Sequence, residues 1–190
     1  MIRITGGEAK GRALKVYKGG TVRPTSDKVR QALFNILEHR FDLDLEGGAC
    51  LDLFAGSGSL GAEFLSRGGQ QLSAVEADRP TFTVLRENFK MIEQALHPRN
   101  LNLHLSSQRV ERYLSRSPDS PFLLVFADPP YRERLATSLL EQLSHGWVSP
   151  QGLVMIEHEK RDLFVPSTAW VLEDRRSYGD TLISFVRPAV

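Results

Sequence analysis

The sequence predicts an α/β protein with a doubly wound, mostly parallel sheet of seven strands and an antiparallel edge. Up to residue 157, short apolar runs alternate with amphipathic helical patterns, which is typical of parallel strands joined by helices. The last two apolar runs are separated by a turn-rich segment, 175–180, which indicates an antiparallel pair. We therefore expect one sheet covered by helices on both faces.

Size and composition fit one such domain with a small extension. The chain has 190 residues, of which 41% are hydrophobic and 25% charged, enough for one core. We divide it into a basic arm and helix at 1–45 and a core domain at 46–190. It has no apolar run of the roughly 18 residues that span a membrane and no apolar leader, so we expect a cytoplasmic protein without membrane contact. Cys50 stands alone and the histidines are scattered, so we expect no disulfide and no metal site.

The first 45 residues predict a short hairpin followed by a helix. Residues 2–5 and 11–17 alternate weakly between apolar and polar side chains. Ser26 is then placed to cap a helix with one apolar stripe. The stripe consists of Val29, Ala32, Leu33, Ile36 and Leu37.

Positive charge is concentrated at the front of the chain. Residues 1–30 carry eight basic and two acidic side chains, net +6, which leaves −5 for the other 160 residues. This segment is a candidate polyanion contact, although a merely solvated basic arm is the alternative. Glycines among the cations, including Gly6, Gly7 and Gly11, suggest close approach of the backbone to phosphates. The candidate polyanion-binding residues are Lys10, Arg12, Lys15, Lys18, Arg23, Lys28 and Arg30.

The core begins with a strand, a glycine turn and a helix. The strand is predicted at 49–55, the turn holds Gly56, Gly58 and Gly61, and the helix should end at 68–69. Glu76 follows the next strand, 72–75, where it could bind the hydroxyls of a ribose. A G-x-G-x-x-G pattern in this context is typical of a nucleotide or nucleoside site.

Acidic residues near the carboxyl ends of the strands distinguish between two cofactors. Asp52, Glu76, Asp78 and Asp128 are expected to face one pocket. They would repel a pyrophosphate, whereas a sulfonium about 4 Å from a carboxylate gains on the order of 4 kcal/mol at an effective dielectric of 20. The pattern therefore favours S-adenosylmethionine over a dinucleotide.

The remaining elements continue the alternation. We predict helices at 80–96, 108–115 and 134–143 and strands at 101–105, 122–127, 152–157, 170–173 and 181–186. Glu157 and Glu159, at the end of the 152–157 strand, are assigned a structural role.

The strand at 122–127 leads directly into the residues expected to carry the chemistry, Asp128, Pro129, Pro130 and Tyr131. The prolines end the strand, so Asp128 lies at its carboxyl edge. The Asp128 carboxylate and the Pro129 carbonyl only accept hydrogen bonds, and together they suit the two hydrogens of an exocyclic amino group. Tyr131 could stack on the base. The alternative is a simple Asp-Pro-Pro turn.

These four residues resemble the signature of the amino-methyltransferases that modify an exocyclic nitrogen of adenine, cytosine or guanine. The whole chain is similar to the bacterial family that methylates N2 of one guanine in small-subunit (16S) ribosomal RNA. The motifs particular to that family are Gly6-Gly7 with Lys10-Gly11-Arg12, the run from Arg23 to Asn35, Leu51 to Gly58, Asp128 to Tyr131, and Tyr178 to Thr181.

The resemblance implies a Rossmann-like class I methyltransferase fold and assigns roles to several residues. Asp128 to Tyr131 would hold the target guanine. The front segment would bind ribosomal RNA or the assembling small subunit, and we expect a monomer. The implied cofactor-binding residues are Asp52, Phe54, Ala55, Gly56, Ser57, Gly58, Glu76, Ala77, Ser107, Gln108 and Asp128.

The chain departs from its relatives after the strand at 101–105. Related enzymes usually place an acid or asparagine there to read the adenine amino group. Here the sequence is Ser106-Ser107-Gln108-Arg109, so a serine or glutamine oxygen, as in Ser107 or Gln108, or backbone groups could replace that contact with a neutral hydrogen bond.

Three other functions stay open at this point. A DNA adenine-N6 or cytosine-N4 methyltransferase shares the corner at Asp128, although about 45 residues before the core leave little room for DNA sequence recognition. A nicotinamide-dependent oxidoreductase is disfavoured by the acidic pocket. A non-catalytic RNA-binding protein would keep the fold without turnover.

Overall fold

The structure is a computed structural model that describes residues 2–17, 19, 26–129, 135–161 and 164–189. The strands within these residues are β1 (Ile2–Arg3), β2 (Ala13–Leu14), β3 (Ala49–Leu53), β4 (Gln71–Val75), β5 (Asn102–Ser106), β6 (Phe122–Ala127), β7 (Val148–Glu159), β8 (Trp170–Tyr178) and β9 (Thr181–Pro188). The helices are α1 (Asp27–His39), α2 (Ser59–Ser66), α3 (Arg79–Ala95), α4 (Val110–Leu114) and α5 (Ala136–Leu143). Among the described residues, no helix has the length and apolarity needed to cross a bilayer.

The main sheet has seven strands in the order β5-β4-β3-β6-β7-β9-β8. Strands β3 to β7 are parallel, and β9 runs antiparallel to both β7 and β8. The predicted fold class is therefore confirmed. The chain winds outward from β3 to β5 and then returns to β6 beside β3, so the strand order reverses between β3 and β6. Open α/β sheets bind their ligands at such a point.

Two apolar cores flank the sheet because successive side chains of a strand point to opposite faces. Cys50 of β3 packs with α1, α2, α3 and the front segment, whereas Leu51 packs with α4 and α5. Buried residues of 1–45 and of 46–190 share the first core, for example Leu14 and Phe64. The division at residue 45 stays a prediction.

The front segment forms the predicted hairpin in minimal form. Ile2 pairs with Leu14 and Arg3 with Ala13. Ser26 caps α1 as expected, since its hydroxyl accepts a hydrogen bond from the Val29 backbone N–H at 3.3 Å.

The antiparallel edge is longer than predicted. Strand β8 continues to Tyr178, so most of the expected turn at 175–180 is strand, and only Gly179 and Asp180 form the turn. Pairing along β9 overrides the local turn preference of this segment. Gly179 has φ +62°, a conformation that glycine adopts without strain.

Candidate active site

A row of polar groups lies along the carboxyl edge of the five parallel strands. In sheet order it contains Gln108 beyond β5, Glu76 after β4, the turn 54–58 after β3, Asp128 after β6, and Glu157 near the end of β7. The turn 54–58 and Asp128 lie on either side of the position where the strand order reverses. The fold thus brings together sequence-predicted site residues that lie up to 74 positions apart in the chain, Phe54 and Asp128.

The turn 54–58 is held in an unusual backbone conformation. Phe54, Gly56 and Gly58 all have positive φ, at +61°, +57° and +80°. This conformation is costly for Phe54, and strain of this kind occurs preferentially at functional sites. A Cβ on Gly56 would meet no atom within 4 Å, so the turn faces open space. A Cβ on Gly58 would lie 2.6 Å from the Phe89 ring, so this glycine serves packing against α3.

Glu76 is fixed by the backbone on both sides of the site. Its carboxylate accepts hydrogen bonds from the N–H groups of Gly56 at 2.9 Å and Asp78 at 2.8 Å. Its own N–H donates to the carbonyl of Ser106 at 3.1 Å. Glu76 therefore joins the ends of β3, β4 and β5 through its side chain and its backbone N–H, and the side chain has a defined orientation.

Asp52 lies beneath the turn. Its side chain is buried and accepts a hydrogen bond from the Gly61 N–H of α2 at 3.1 Å. Burial, assisted by the nearby Glu76 carboxylate, raises the pKa of Asp52 to about 7, although the Gly61 N–H opposes this. Because the side chain is enclosed, Asp52 lies behind the site. We propose that its carboxylate contributes negative charge to the site. The assignment of Asp52 as a cofactor-binding residue stays a prediction.

Asp128 follows β6 and is flanked by other carboxylates. Burial raises its pKa well above the usual range, and the charges of Glu157 and Asp52 raise it further. The pairing of Ala127 with Ile156 brings the ends of β6 and β7 side by side. The sequence pattern indicated only a structural role for Glu157 and did not reveal this proximity. The signal that could have found it is its position at the end of the strand next to Asp128.

The rest of the predicted corner is only partly described. Pro129 is buried directly after Asp128, and Pro130 and Tyr131 lie outside the described residues. Stacking by Tyr131 therefore stays a prediction.

The segment after β5 offers a neutral hydrogen-bonding group. Gln108 Nε2 donates to Ser106 Oγ at 2.7 Å, which fixes the orientation of the amide, and no described residue donates to its oxygen. Ser107 and Ala77 are exposed.

We expected Asp78 to face the acidic pocket, but the structure places it elsewhere. It is exposed and caps α3 by accepting hydrogen bonds from the N–H and hydroxyl of Thr81.

The predicted RNA-binding residues fall into two groups. Lys10, Arg12, Lys15 and Lys28 are exposed, and Lys15 Nζ also pairs with Glu87 at 2.8 Å. Lys18 and Arg23 lie outside the described residues.

Arg30 is a correction to the predicted RNA surface. Its side chain is 0% exposed and pairs with Asp27 and with Glu63 of α2, at 2.8 and 3.2 Å. A buried guanidinium that is neutralised by two carboxylates cannot reach a phosphate chain. Arg30 pairs with Asp27 because the two residues lie three positions apart on α1 and therefore on the same face of the helix.

The front glycines are also explained by packing. A Cβ on Gly7 would lie 1.8 Å from the Ser66 carbonyl, and one on Gly6 would lie 2.4 Å from the Arg67 guanidinium. Both glycines let the arm approach the end of α2, and their expected role in approaching phosphates stays a prediction. Gly11, with φ +84° and open space around it, has no such contact.

Comparison with known proteins identifies the family. The profile of the family described as Conserved hypothetical protein 95 matches residues 2–187. Ribosomal RNA small subunit methyltransferase D of Haemophilus influenzae is 32% identical over 180 residues, covering 94% of this chain and 89% of that protein. The enzyme of the same name from Escherichia coli is 34% identical over 159 residues, covering 83% and 75%.

A solved structure of the Escherichia coli protein yhhF has a TM-score of 0.83 and 30% identity, and the match covers 98% of this chain and 97% of that one. The resemblance proposed from sequence motifs is confirmed over nearly the whole length. The chain belongs to the family described as Conserved hypothetical protein 95, to which its motifs, its fold and its relatives all lead.

Proposed function

We propose that the protein transfers a methyl group from S-adenosylmethionine to the exocyclic N2 of a guanine in 16S ribosomal RNA. The observation that carries this proposal is the position of Asp128 and Pro129 at the strand-order reversal, next to the turn 54–58. The names of the relatives support ribosomal RNA as the substrate.

The residues around the turn fit a cationic nucleoside donor. Gly56 leaves open space in front of the turn, and Glu76 is oriented to bind ribose hydroxyls. Repulsion among Asp52, Glu76 and Asp128 would be relieved by a positive charge beside them. When bound, S-adenosylmethionine supplies an electrophilic methyl group on a sulfonium. The turn 54–58 and Glu76 would hold it, and Ala77 and Ser107 would border it.

Gln108 is proposed to read the adenine of the donor. Its amide nitrogen is already used by Ser106, so its oxygen is the group that can accept from an adenine amino group. This neutral contact would replace the acid or asparagine expected at this point and would be weaker than a charged one.

Asp128 and Pro129 are proposed to orient the target base. The carboxylate and the proline carbonyl would accept the two hydrogens of the amino group, which directs the nitrogen lone pair toward the methyl group. After transfer the nitrogen becomes acidic, and Asp128 is the base within reach of its proton. An RNA base must leave its stack to enter such a site, and Tyr131 would stack on it there.

The exposed cations Lys10, Arg12, Lys15 and Lys28 are proposed to bind the RNA backbone, together with Lys18 and Arg23. Four of them are exposed in the structure, as a phosphate contact requires.

The role of Asp128 can be tested with Asp128→Ala. We expect methyl incorporation into undermethylated small-subunit RNA to fall by at least about 1,000-fold, since both orientation of the amine and the base are lost. Affinity for S-adenosylhomocysteine, measured by calorimetry, should change only a few-fold because the turn and Glu76 are intact.

Glu159→Ala provides the matched control because Glu159 also carries a carboxylate near the end of a central strand, two residues beyond Glu157. It should retain near-normal methylation. Near-normal turnover by Asp128→Ala would contradict the assignment, and mapping the product as N2-methylguanine would separate this function from methylation of adenine or cytosine.

A further inference from the structure

A buried asparagine in α3 contacts both the front arm and the turn 54–58. Asn88 is 2% exposed and lies on the inner face of α3 between Leu85 and Ile92. An apolar residue would avoid the cost of burying an amide at this position, so its hydrogen bonds must offset that cost.

Asn88 makes three hydrogen bonds to two separate segments. Its Oδ1 accepts from the Lys15 N–H at 2.9 Å, and its Nδ2 donates to the Lys15 carbonyl at 3.0 Å. The same Nδ2 donates to the carbonyl of Ser57 at 2.8 Å. The amide thus accepts from and donates to the backbone of Lys15, as a neighbouring strand would. The second hydrogen on Nδ2 binds the carbonyl of Ser57 in the turn.

A second set of contacts fixes the arm on the other side of the turn. The N–H and hydroxyl of Thr5 donate to Glu63 of α2, and the Ala9 N–H donates to Ser66 Oγ at 2.9 Å. Since α2 begins immediately after the turn, the arm is attached to both helices that flank the turn. Phe89, next to Asn88, packs against Gly58 of the turn as well.

We propose that Asn88 is a positioning residue that couples the RNA-binding arm to the cofactor turn, so that RNA and the nucleoside cofactor strengthen each other's binding. The inference rests on the proposed function, because it takes the arm as the RNA contact and the turn as the cofactor contact. RNA bound to the arm favours the docked position of Lys15, which holds the Asn88 amide against Ser57. By linkage, the cofactor favours RNA binding by the same factor.

The test measures S-adenosylhomocysteine binding by calorimetry, with and without a saturating transcript of small-subunit ribosomal RNA. For the unmodified protein we expect RNA to lower the Kd about five-fold or more, which is the lower range of usual couplings. In Asn88→Ala the ratio should fall toward one, because the direct link between Lys15 and Ser57 is removed and only the contacts of the arm with α2 remain.

A second pair of variants acts from the arm and leaves the core unchanged. Lys15→Ala and Lys15→Pro both lose the cation, but only the proline loses the N–H that donates to Asn88. We expect Lys15→Ala to bind RNA more weakly but to keep the five-fold effect of RNA on the Kd for S-adenosylhomocysteine. In Lys15→Pro, this ratio of Kd values should fall toward one. Thermal unfolding of both variants verifies that they are folded.

The outcomes separate this inference from the proposed function. If both ligands bind but the unmodified protein shows no coupling, or Lys15→Pro keeps the same ratio as Lys15→Ala, the inference is wrong and the proposed function stands. If the protein binds neither S-adenosylhomocysteine nor RNA, the proposed function fails and the inference fails with it.

Discussion

At the scale of single residues, ionisation of the buried carboxyl of Asp52 would favour binding of a cationic cofactor but destabilise the folded protein. Its pKa is raised to about 7 in the folded protein, mainly by burial, so the folded protein keeps a proton that the unfolded chain releases near pH 4. Stability should therefore fall as pH rises from about 4 to 7. The negative charge that would attract a sulfonium is costly while the site contains no cation.

Asp52→Asn should remove that pH dependence. The amide oxygen can still accept from the Gly61 N–H, so this hydrogen bond to the first turn of α2 is retained. We expect the variant to be more stable than the unmodified protein at pH 8, by up to about 4 kcal/mol at roughly 1.4 kcal/mol per pKa unit, with a much smaller gain at pH 5. Its affinity for S-adenosylmethionine should be lower. Urea unfolding at both pH values and calorimetry measure these changes.

Asp78→Asn is the control for this prediction. Asp78 is exposed, and its hydrogen bonds to Thr81 lower its pKa, so it is ionised at both pH 5 and pH 8. Its substitution should have the same effect at both. An Asp52→Asn variant that loses equal stability at pH 5 and pH 8 would contradict the account of the buried carboxyl.

At the scale of elements, a single acid in α2 holds the arm, α1 and α2 together. Glu63 is 0% exposed and accepts hydrogen bonds from the backbone and side chain of Thr5, from Arg30 and from Arg67. Because Arg30 is also fully buried, removing Glu63 leaves a guanidinium that water cannot solvate and whose charge Asp27 offsets only in part.

Glu63→Ala should lower the free energy of unfolding by about 3 to 5 kcal/mol, the usual cost of breaking a buried ion pair from one side. Glu38→Ala removes the other carboxylate paired with Arg67, but its side chain is 30% exposed. That control should cost about 1 kcal/mol or less. Urea unfolding measures the loss of stability in both variants. Equal losses would show that Glu63 is not the acid that holds the arm, α1 and α2 together.

At the scale of the whole molecule, both faces of the sheet carry exposed cations. The arm and its exposed cations lie on the face covered by α1, α2 and α3, whereas α4 lies on the opposite face with Arg112 and Arg116 exposed nearby. Net charge alone cannot account for RNA binding, since the chain carries only +1. The position of the cations must decide it.

Paired double variants test this. Lys10→Gln with Arg12→Gln, and Arg112→Gln with Arg116→Gln, remove the same charge from opposite faces. The first pair should weaken RNA binding and flatten its dependence on salt by about 0.7 in logarithmic slope for each phosphate that the arm no longer binds. The second should leave the slope unchanged. The slopes are measured by filter binding over a salt series. Equal slopes for the two pairs would show that the arm is only a solvated basic surface and does not bind the RNA backbone.

Much of this molecule could be predicted from the sequence because the decisive signals are local. The apolar run 122–127, the prolines after Asp128 and the glycines of the turn 54–58 each constrain the backbone where they stand. They therefore predicted the parallel core and the positions of Asp128 and of the turn at its edge, whereas the turn-rich segment 175–180 predicted the antiparallel edge.

What only the tertiary structure decided depends on residues far apart in the chain. Arg30 looked like a phosphate contact until Glu63, 33 residues away, proved to be its buried partner. Asn88 showed no pattern in the sequence, because its partners Lys15 and Ser57 lie 73 and 31 residues away. Glu157 became a neighbour of Asp128 only through the pairing of β6 with β7. The physical reason is that local sequence sets backbone conformation, whereas burial and charge pairing depend on which distant segments the fold brings into contact.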